Sequence, residues 1–358
     1  MARQQKFHIA VIPGDGIGME VISEGIRVLD VLAQRSRGAL AFEWESFSWG
    51  CQYYLQTGRM MAADGLEQLK HSDAIYFGAV GWPGVPDHVS LWGLRLAICQ
   101  GFDQYANIRP VRLLPGTQSP LRAATEEMMD WVVVRENSEG EYAGIGGRNL
   151  QGRGERKEVA IQSSLFTAEG CERIMRFAFE LARTRKRKKV TSVTKSNAQQ
   201  YGMVLWDEVF ARVARDYPEV ETEQWLVDAM AARFVLRPET LEVVVASNLF
   251  ADILSDLGSA LAGSLGIAAS ANLNPERRYP SMFEPVHGSA PDIAGQGVAN
   301  PIGALWSAVL MLEHLGLSDE ATRLMAAIEA TTRAGIVTPD LGGHYTTREV
   351  GDAVIAHL

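Results

Sequence analysis

Apolar and polar residues follow two different periods along the chain. Short apolar runs rich in β-branched residues predict strands, and apolar residues spaced three and four apart predict amphipathic helices. The predicted strands are residues 6–13, 73–80, 130–136, 158–166, 188–195, 223–229 and 241–247. The predicted helices are residues 19–36, 167–185, 197–217, 248–257 and 300–316. Because strands and helices alternate, the pattern indicates an α/β fold whose sheet is at least partly parallel.

Composition narrows the class of protein. The chain has 358 residues, of which 47% are hydrophobic and 22% charged, and its net charge is −9. This length favours about two domains, and the lack of a low-complexity linker favours domains that share a sheet or interleave. The negative charge argues against nucleic-acid binding. The three cysteines are too few for a disulfide framework. Neither a signal peptide nor an apolar span of membrane length is visible, so we expect a cytoplasmic protein.

Two carboxylates lie one turn apart on the predicted helix 248–257. Asp252 and Asp256 flank its apolar face, and like charges at that spacing destabilise a helix by a few tenths of a kcal/mol, roughly. Mg²⁺ or Mn²⁺ prefers carboxylate oxygens, and Asp228, at the predicted end of a strand, is a candidate third ligand. A solvated helix flank explains the pair about as well. The spacing therefore leaves both interpretations open.

Two glycine-rich segments are candidate ligand loops. Residues 11–21 follow the first strand and open a helix, yet they lack the dinucleotide fingerprint because residue 19 is Met. Residues 283–301 mix small residues with His, Asp and Asn. A tight turn or an ordinary surface loop explains each segment about equally well.

Five further side chains have suitable chemistry without a specific motif. An arginine binds carboxylates in bidentate fashion, and tyrosine or lysine can transfer protons when neighbours tune the pKa. The candidates are Arg95, Arg109, Arg135, Tyr142 and Lys195. Taken singly, each is more often an ordinary surface residue.

The order of these segments resembles a known family. The segments "IPGDGIG", "NIRPVR", "RENSEGEYAG", "TKSNA", "VDAMA", "NLFADILSDL" and "EPVHGSAPDIAGQGVANP" occur in the order typical of the β-decarboxylating dehydrogenases, the isocitrate and 3-isopropylmalate dehydrogenase family. The segments "VGWPGVPDHVSLWG" and "FDQYANIRP" are most similar to the tartrate and D-malate dehydrogenase branch.

The resemblance implies a fold and an assembly. It predicts an isopropylmalate dehydrogenase-like fold with two interleaved domains and a shared central sheet. The large, cofactor-side domain would comprise residues 1–104 and 263–358, and the small domain residues 105–262. The expected assembly is a homodimer with shared active sites.

The resemblance also assigns catalytic and metal-binding roles. Asp252 and Asp256 of one subunit would bind Mn²⁺ or Mg²⁺ together with Asp228 of the partner subunit. Lys195, also from the partner subunit, would relay the proton of the substrate hydroxyl. Tyr142 would protonate the enol that decarboxylation leaves. The substrate carboxylates would be bound by Arg109 and Arg135.

NAD is the cofactor that the resemblance implies. Asp292 would accept hydrogen bonds from a ribose hydroxyl and would repel the 2′-phosphate of NADP. A requirement for K⁺ is left open. The residues expected to contact the cofactor are Ile12, Gly14, Glu284, His287, Gly288, Ser289, Ala290, Asp292, Ile293 and Asn300.

Substrate specificity is expected to depend on the loop from Gly81 to Arg95. The family's usual arginine ten residues before Arg109 is replaced by Cys99, so we predict that Arg95, one turn earlier, binds that carboxylate. Three neighbouring residues would also contact the substrate, with the bulky indole filling the space of a larger C3 substituent: Ser90, Leu91 and Trp92.

The expected reaction is therefore the oxidation of tartrate and D-malate, with decarboxylation of D-malate to pyruvate. The alternative within the family is 3-isopropylmalate dehydrogenase. A metal-dependent hydrolase and a dicarboxylate-binding sensor are the rivals from other classes. The expected partners are a small dicarboxylic hydroxy acid and a second copy of the chain, with no nucleic acid and no membrane.

Overall fold

The computed structural model describes residues 4–153 and 157–358. The strands are β1 (Gln5–Gly14), β2 (Leu40–Ser46), β3 (Ala74–Ala79), β4 (Ala106–Arg112), β5 (Asp130–Glu136), β6 (Gly140–Asn149), β7 (Val159–Leu165), β8 (Lys189–Thr194), β9 (Glu221–Leu226), β10 (Val243–Ala246), β11 (Ala269–Leu273) and β12 (Ser281–Pro285).

The helices are α1 (Gly18–Arg35), α2 (Cys51–Thr57), α3 (Gly65–Leu69), α4 (Asp87–Ser90), α5 (Leu96–Gly101), α6 (Ala168–Thr184), α7 (Gly202–Ala214), α8 (Val227–Leu236), α9 (Asn248–Leu261), α10 (Ile302–His314), α11 (Ser318–Arg333) and α12 (Thr347–His357). A π-helical turn, Leu91–Arg95, joins α4 to α5. The predicted mixed α/β class with a large central sheet is confirmed.

The chain divides into two compact units. Unit 1 comprises residues 1–104, 109–129 and 258–358, and unit 2 comprises residues 105–108 and 130–257. The boundary falls inside β4, between Ile108 and Arg109.

Unit 1 is built on a parallel sheet with one antiparallel strand. Its strands follow the order β2, β1, β3, β12, β11, and only β11 runs antiparallel to its neighbour β12. Every residue of β3 is buried, as expected for a parallel strand covered on both faces. Helix α10 is buried along most of its length and packs on β12, β11, α1 and α11. This core fixes the carboxyl ends of β1, β3 and β12, where the glycine-rich segments begin.

Unit 2 contains the parallel strands β5, β10, β8 and β9 in that order. Helices α6 and α7 pack together, and α6 covers β5, β8 and β10. The buried Trp206 of α7 donates its indole N–H to Ser192 Oγ of β8 at 3.0 Å, so the large ring is satisfied within the core. Helix α6 begins at a true N-cap, because the Thr167 side chain accepts a hydrogen bond from the Gly170 amide.

Unit 2 also carries a two-stranded antiparallel ribbon formed by β6 and β7. All of β7 is exposed, including Ile161 at 64% and Val159 at 48% exposure. A two-stranded ribbon is marginally stable alone in water. Its apolar side chains are therefore not buried by the rest of the described chain.

Three sequence predictions differ from the structure. The helix predicted from residue 197 begins at Gly202, because the preceding Ser196 and Asn197 favour turns. The strand predicted through Ala229 ends at Leu226, so Asp228 lies in the first turn of α8. The loop predicted from Gly81 is helical from Asp87 onward.

The domain limits also differ from the compact units. Residues 109–129 and 258–262, predicted in the small domain, belong to unit 1. Contacts within unit 1 explain this: Arg112 pairs with Glu329 at 2.8 Å, and Ser119 Oγ donates to the carbonyl of Leu261 at 2.6 Å.

Candidate active site

Three predicted site residues meet in unit 2. Arg135, at the end of β5, is buried, and its Nη1 forms an ion pair with Asp252 Oδ1 of α9. The Tyr142 hydroxyl donates to Asp252 Oδ2 at 3.2 Å, and the Arg135 guanidinium lies 5.2 Å from the Tyr142 ring centroid. Arg135 Nε also donates to Asn248 Oδ1 at 2.9 Å. An arginine, a tyrosine and an aspartate thus form one polar cluster.

Asn248 was missed by the sequence analysis. It is fully buried at the start of α9, and its Nδ2 donates to the Glu139 carbonyl at 3.3 Å. An asparagine two residues after the buried strand β10 is the signal that could have identified it, because a buried polar residue there has to find a partner.

A second cluster in unit 2 joins Lys195 and Asp228. Lys195 follows β8, and its Nζ lies 2.5 Å from Asp228 Oδ1. The hydrogen bond from Lys195 lowers the pKa of the exposed Asp228 carboxyl. Lys195 and Asp228 therefore form an ion pair within one chain, between the predicted proton-transfer lysine and one of the predicted metal ligands.

Two of the three predicted metal ligands, Asp252 and Asp256, are arranged so that they could bind a divalent cation, but the third is not near them in the same chain. Asp252 and Asp256 share one face of α9 and supply oxygen donors, which suit a hard cation. The Asp252 side chain is 32% exposed and carries Arg135 as its counter-charge. Within residues 4–153 and 157–358, no three His, Cys, Asp or Glu side chains are grouped closely enough to hold a metal. Asp228 of the same chain thus does not complete the site.

The structure occupies Arg95 differently from the prediction. Arg95 is buried in unit 1, where its Nη2 lies 2.7 Å from Glu284 Oε1 and 3.2 Å from Asn272 Oδ1. Its Nε donates to the same Glu284 oxygen at 2.8 Å, and Asn272 Nδ2 donates to that oxygen at 2.7 Å. The Nε and Nη2 atoms of Arg95 therefore bind an internal carboxylate, and its role as a ligand of the substrate stays a prediction.

The three residues before Arg95 differ in their exposure. Ser90 is buried, and its hydroxyl donates to the Asp87 carbonyl one turn earlier at 3.0 Å. Leu91 is half-buried and Trp92 is 37% exposed. Their roles in substrate choice stay predictions. Arg109 is likewise buried in β4, and its role as a carboxylate ligand stays a prediction.

Close backbone packing requires glycine at two positions of the first glycine-rich segment. At Gly14, with φ of 70°, an added Cβ would lie 1.9 Å from the Ala79 carbonyl oxygen. At Gly16, it would lie 2.0 Å from the carbonyl oxygen of Ser289. A cleft of ≈ 580 Å³ lies over this turn in unit 1, and Trp82 and Gly295 contribute to its walls.

Among the residues predicted to bind the cofactor, His287 has a side-chain atom suited to a polar ligand. The His287 Nε2 atom is buried and has no hydrogen-bond partner among the described residues, while Nδ1 lies 2.9 Å from the Gly288 carbonyl. Burial lowers the pKa of His287. A neutral imidazole with a buried orphan nitrogen is suited to a ligand hydrogen bond. Ile12 is buried in β1, and Asp292 is exposed.

Two acidic residues that the sequence analysis missed hold the second glycine-rich segment. Glu20 of α1 accepts hydrogen bonds from the amides of Gly295 and Gly297. Asp340 accepts from Asn300 Nδ2 at 3.0 Å and from Ser264 Oγ at 2.5 Å. Both partners lie far from the segment in sequence, so no local pattern reveals them.

None of the helices within the described residues is long and apolar enough to cross a membrane.

Comparison with known proteins places these features in context. Residues 8–354 match the family model for isocitrate/isopropylmalate dehydrogenase. A probable tartrate dehydrogenase/decarboxylase of Agrobacterium vitis is 59% identical over 98% of this chain and 97% of its own. The D-malate dehydrogenase [decarboxylating] of Escherichia coli (strain K12) is 54% identical over 97% of each chain. The crystal structure of isocitrate dehydrogenase from Methylococcus capsulatus matches with a TM-score of 0.88 and 33% identity, covering 98% of this chain and 99% of that one.

Proposed function

Because the chain belongs to the isocitrate/isopropylmalate dehydrogenase family, we propose that it is an NAD- and divalent-metal-dependent dehydrogenase of tartrate and D-malate, and that it decarboxylates D-malate to pyruvate and CO₂. The observation that carries this proposal is the 54–59% identity, over nearly the whole chain, to relatives named for these substrates. Those names favour it over a 3-isopropylmalate dehydrogenase, and the family match leaves the hydrolase and sensor hypotheses without support.

The arrangement of unit 2 supports an active site shared between two subunits. Arg135, Tyr142 and Asp252 form one cluster, and Lys195 pairs with Asp228 in another. Each cluster holds part of the predicted catalytic set. We propose that a homodimer joins the first cluster of one subunit to the second cluster of its partner. The exposed apolar ribbon of β6 and β7 suits a dimer contact, because a second copy would cover it.

The proposed chemistry assigns one task to each side chain. When bound, a divalent cation supplies Lewis-acid polarisation of the substrate oxygens and NAD supplies a hydride acceptor. Asp252 and Asp256 would hold the cation with Asp228 of the partner subunit. Arg109 and Arg135 would bind the substrate carboxylates and so fix the orientation of the hydroxyl-bearing carbon.

Proton transfer would be divided between a lysine and a tyrosine. Lys195 must first release its own ammonium proton, and its neutral amine then accepts the proton of the substrate hydroxyl as the C2 hydrogen is transferred as hydride. After CO₂ departs, the Tyr142 hydroxyl donates a proton to the carbon that has lost its carboxylate. Its contact with Asp252 holds the hydroxyl in place in the free protein. The two steps thus use different groups, with Lys195 as the proton acceptor and Tyr142 as the proton donor.

A substrate panel tests the proposal. NADH formation would be recorded with D-malate, the tartrate isomers, isocitrate and 3-isopropylmalate, each with and without Mn²⁺ and each with NAD or NADP. We expect the highest kcat/KM with D-malate or a tartrate, dependent on Mn²⁺ and on NAD. A higher kcat/KM with 3-isopropylmalate would support the alternative instead, and NADP preference would contradict the role of Asp292.

A further inference from the structure

The carboxylate of Glu20 in helix α1 is hydrogen-bonded to the glycine-rich loop 287–300. Glu20 Oε1 accepts the Gly295 amide at 2.5 Å, and Glu20 Oε2 accepts the Gly297 amide at 3.1 Å. Both glycines have positive φ, 78° and 67°. Successive backbone N–H groups in such a turn converge on one anionic centre. Both oxygens of Glu20 are therefore used to fix one turn of the loop.

Other contacts fix the loop at different points. The Ile17 amide, in the turn before Glu20, donates to the Ser289 carbonyl at 2.9 Å. The Thr347 amide, at the start of α12, donates to the Gly297 carbonyl at 2.8 Å. The middle of the loop thus lies between two helix N-termini, and Glu20 supplies the charged contact on the α1 side.

The turn that Glu20 holds lies beside the residues assigned to the cofactor. Gly295 follows Ile293 by two residues, and Gly297 precedes Asn300 by three. Glu20 and Gly295 also line the same ≈ 580 Å³ cleft above the Gly14 turn. A shift of this turn would displace the backbone on both sides of it, because both amides are fixed to one side chain.

We propose that Glu20 is a positioning residue for the cofactor: it sets the backbone of loop 287–300 so that the loop's own side chains bind NAD. The inference rests on the proposed function, since it assumes that this loop binds the dinucleotide. Glu20 acts through the loop amides and transfers no proton.

A graded series of variants at Glu20 tests the inference. Glu20→Gln keeps the side-chain length and one acceptor oxygen, but its N–H₂ group cannot accept a hydrogen bond from the second glycine amide. Glu20→Ala removes both acceptors. We expect the KM for NAD to rise roughly threefold in Glu20→Gln and roughly tenfold in Glu20→Ala, with the kcat and the KM for D-malate at saturating NAD little changed. The dissociation constant for NADH, from fluorescence titration without substrate, should rise in the same order.

Glu24→Gln is the matched control. Glu24 lies one turn later on α1, and its carboxylate pairs with Arg27 at 2.5 Å and Arg348 at 3.5 Å instead of the loop. The substitution changes the charge of α1 equally, so it should lower the melting temperature without changing the KM for NAD.

The outcomes separate this inference from the proposed function. A selective rise in both NAD constants at Glu20, absent in Glu24→Gln, supports positioning. Unchanged constants, or a rise in all kinetic parameters that simply follows the melting temperature, overturns it. If Glu20→Ala fails to fold, Glu20→Gln decides by the same criteria. Wild-type protein that neither binds NADH nor oxidises any substrate of the panel would instead refute the proposed function.

Discussion

The buried pair of Arg95 and Glu284 makes a strong prediction about stability. The two side chains are only 10% and 6% exposed, and Asn272 Nδ2 also donates to the Glu284 oxygen. Arg95→Met therefore leaves a buried carboxylate without its cation, which costs about 3–5 kcal/mol of unfolding free energy. Replacing both residues by methionine removes the charges together and should cost far less, about 1–2 kcal/mol for the two hydrogen-bond partners that Asn272 loses.

Urea unfolding followed by tryptophan fluorescence measures this coupling in a double-mutant cycle. The double variant should be more stable than the sum of the single losses predicts by at least about 2 kcal/mol. Arg278→Met is the matched control in the same unit, because its pair with Asp103 is exposed and 3.6 Å apart, so it should cost at most about 1 kcal/mol. Additive losses, or a loss below about 1 kcal/mol in Arg95→Met, would refute the reasoning. The KM for D-malate of the same variant tests the substrate role separately: an unchanged KM removes Arg95 from the substrate site.

Three further predictions follow from individual side chains. Tyr142→Phe should lower pyruvate formation from D-malate by about 10²–10⁴-fold, because it loses the proposed proton donor, while the melting temperature changes little; unchanged turnover would remove Tyr142 from the mechanism. Burial raises the pKa of Glu136 from 4.5 to about 7, so between these two pH values the carboxyl group is protonated in the native state and ionised in the unfolded chain. Unfolding free energy should therefore fall by roughly 3 kcal/mol as the pH rises from about 4.5 to about 7, and Glu136→Gln should abolish that slope; a slope retained in the variant assigns it to another group. Burial raises the pKa of Cys51 and Cys171 to about 12, so native protein should react with iodoacetamide far more slowly than protein unfolded in urea, and equal rates would contradict the burial of these thiols.

The sequence predicted the elements whose signals are local. The apolar runs of β3 and β10 identified strands, and the spacing of apolar residues located α1, α6, α9 and α10. Strands β11 and β12 were missed because β11 consists mostly of small or polar residues, β12 has only two large apolar residues, and β12 pairs with the distant strand β3.

In the candidate site as well, residues within sequence motifs could be predicted, whereas contacts between residues far apart in the chain could not. Arg135, Tyr142 and Asp252 were identified through motifs, and the structure brings them together. Glu20 was not, because the glycine amide it binds most closely lies 275 residues away. Arg95 was assigned to the substrate because it lies one helical turn before Cys99, where the family usually has an arginine, and that spacing cannot reveal a buried carboxylate 189 residues later.

The shared active site is tested most directly with hybrid dimers. Lys195→Met and Tyr142→Phe subunits, each nearly inactive alone, would be co-expressed with different tags and purified as the heterodimer. One of its two sites then combines an intact Lys195 half with an intact Tyr142 half, so activity with D-malate should recover to about half that of the wild-type dimer. The heterodimer of Lys195→Met with Asp228→Asn is the control and should stay inactive, because both residues belong to the same half of the site. An inactive Lys195→Met/Tyr142→Phe hybrid would contradict the account, since it would mean that each subunit builds its site alone.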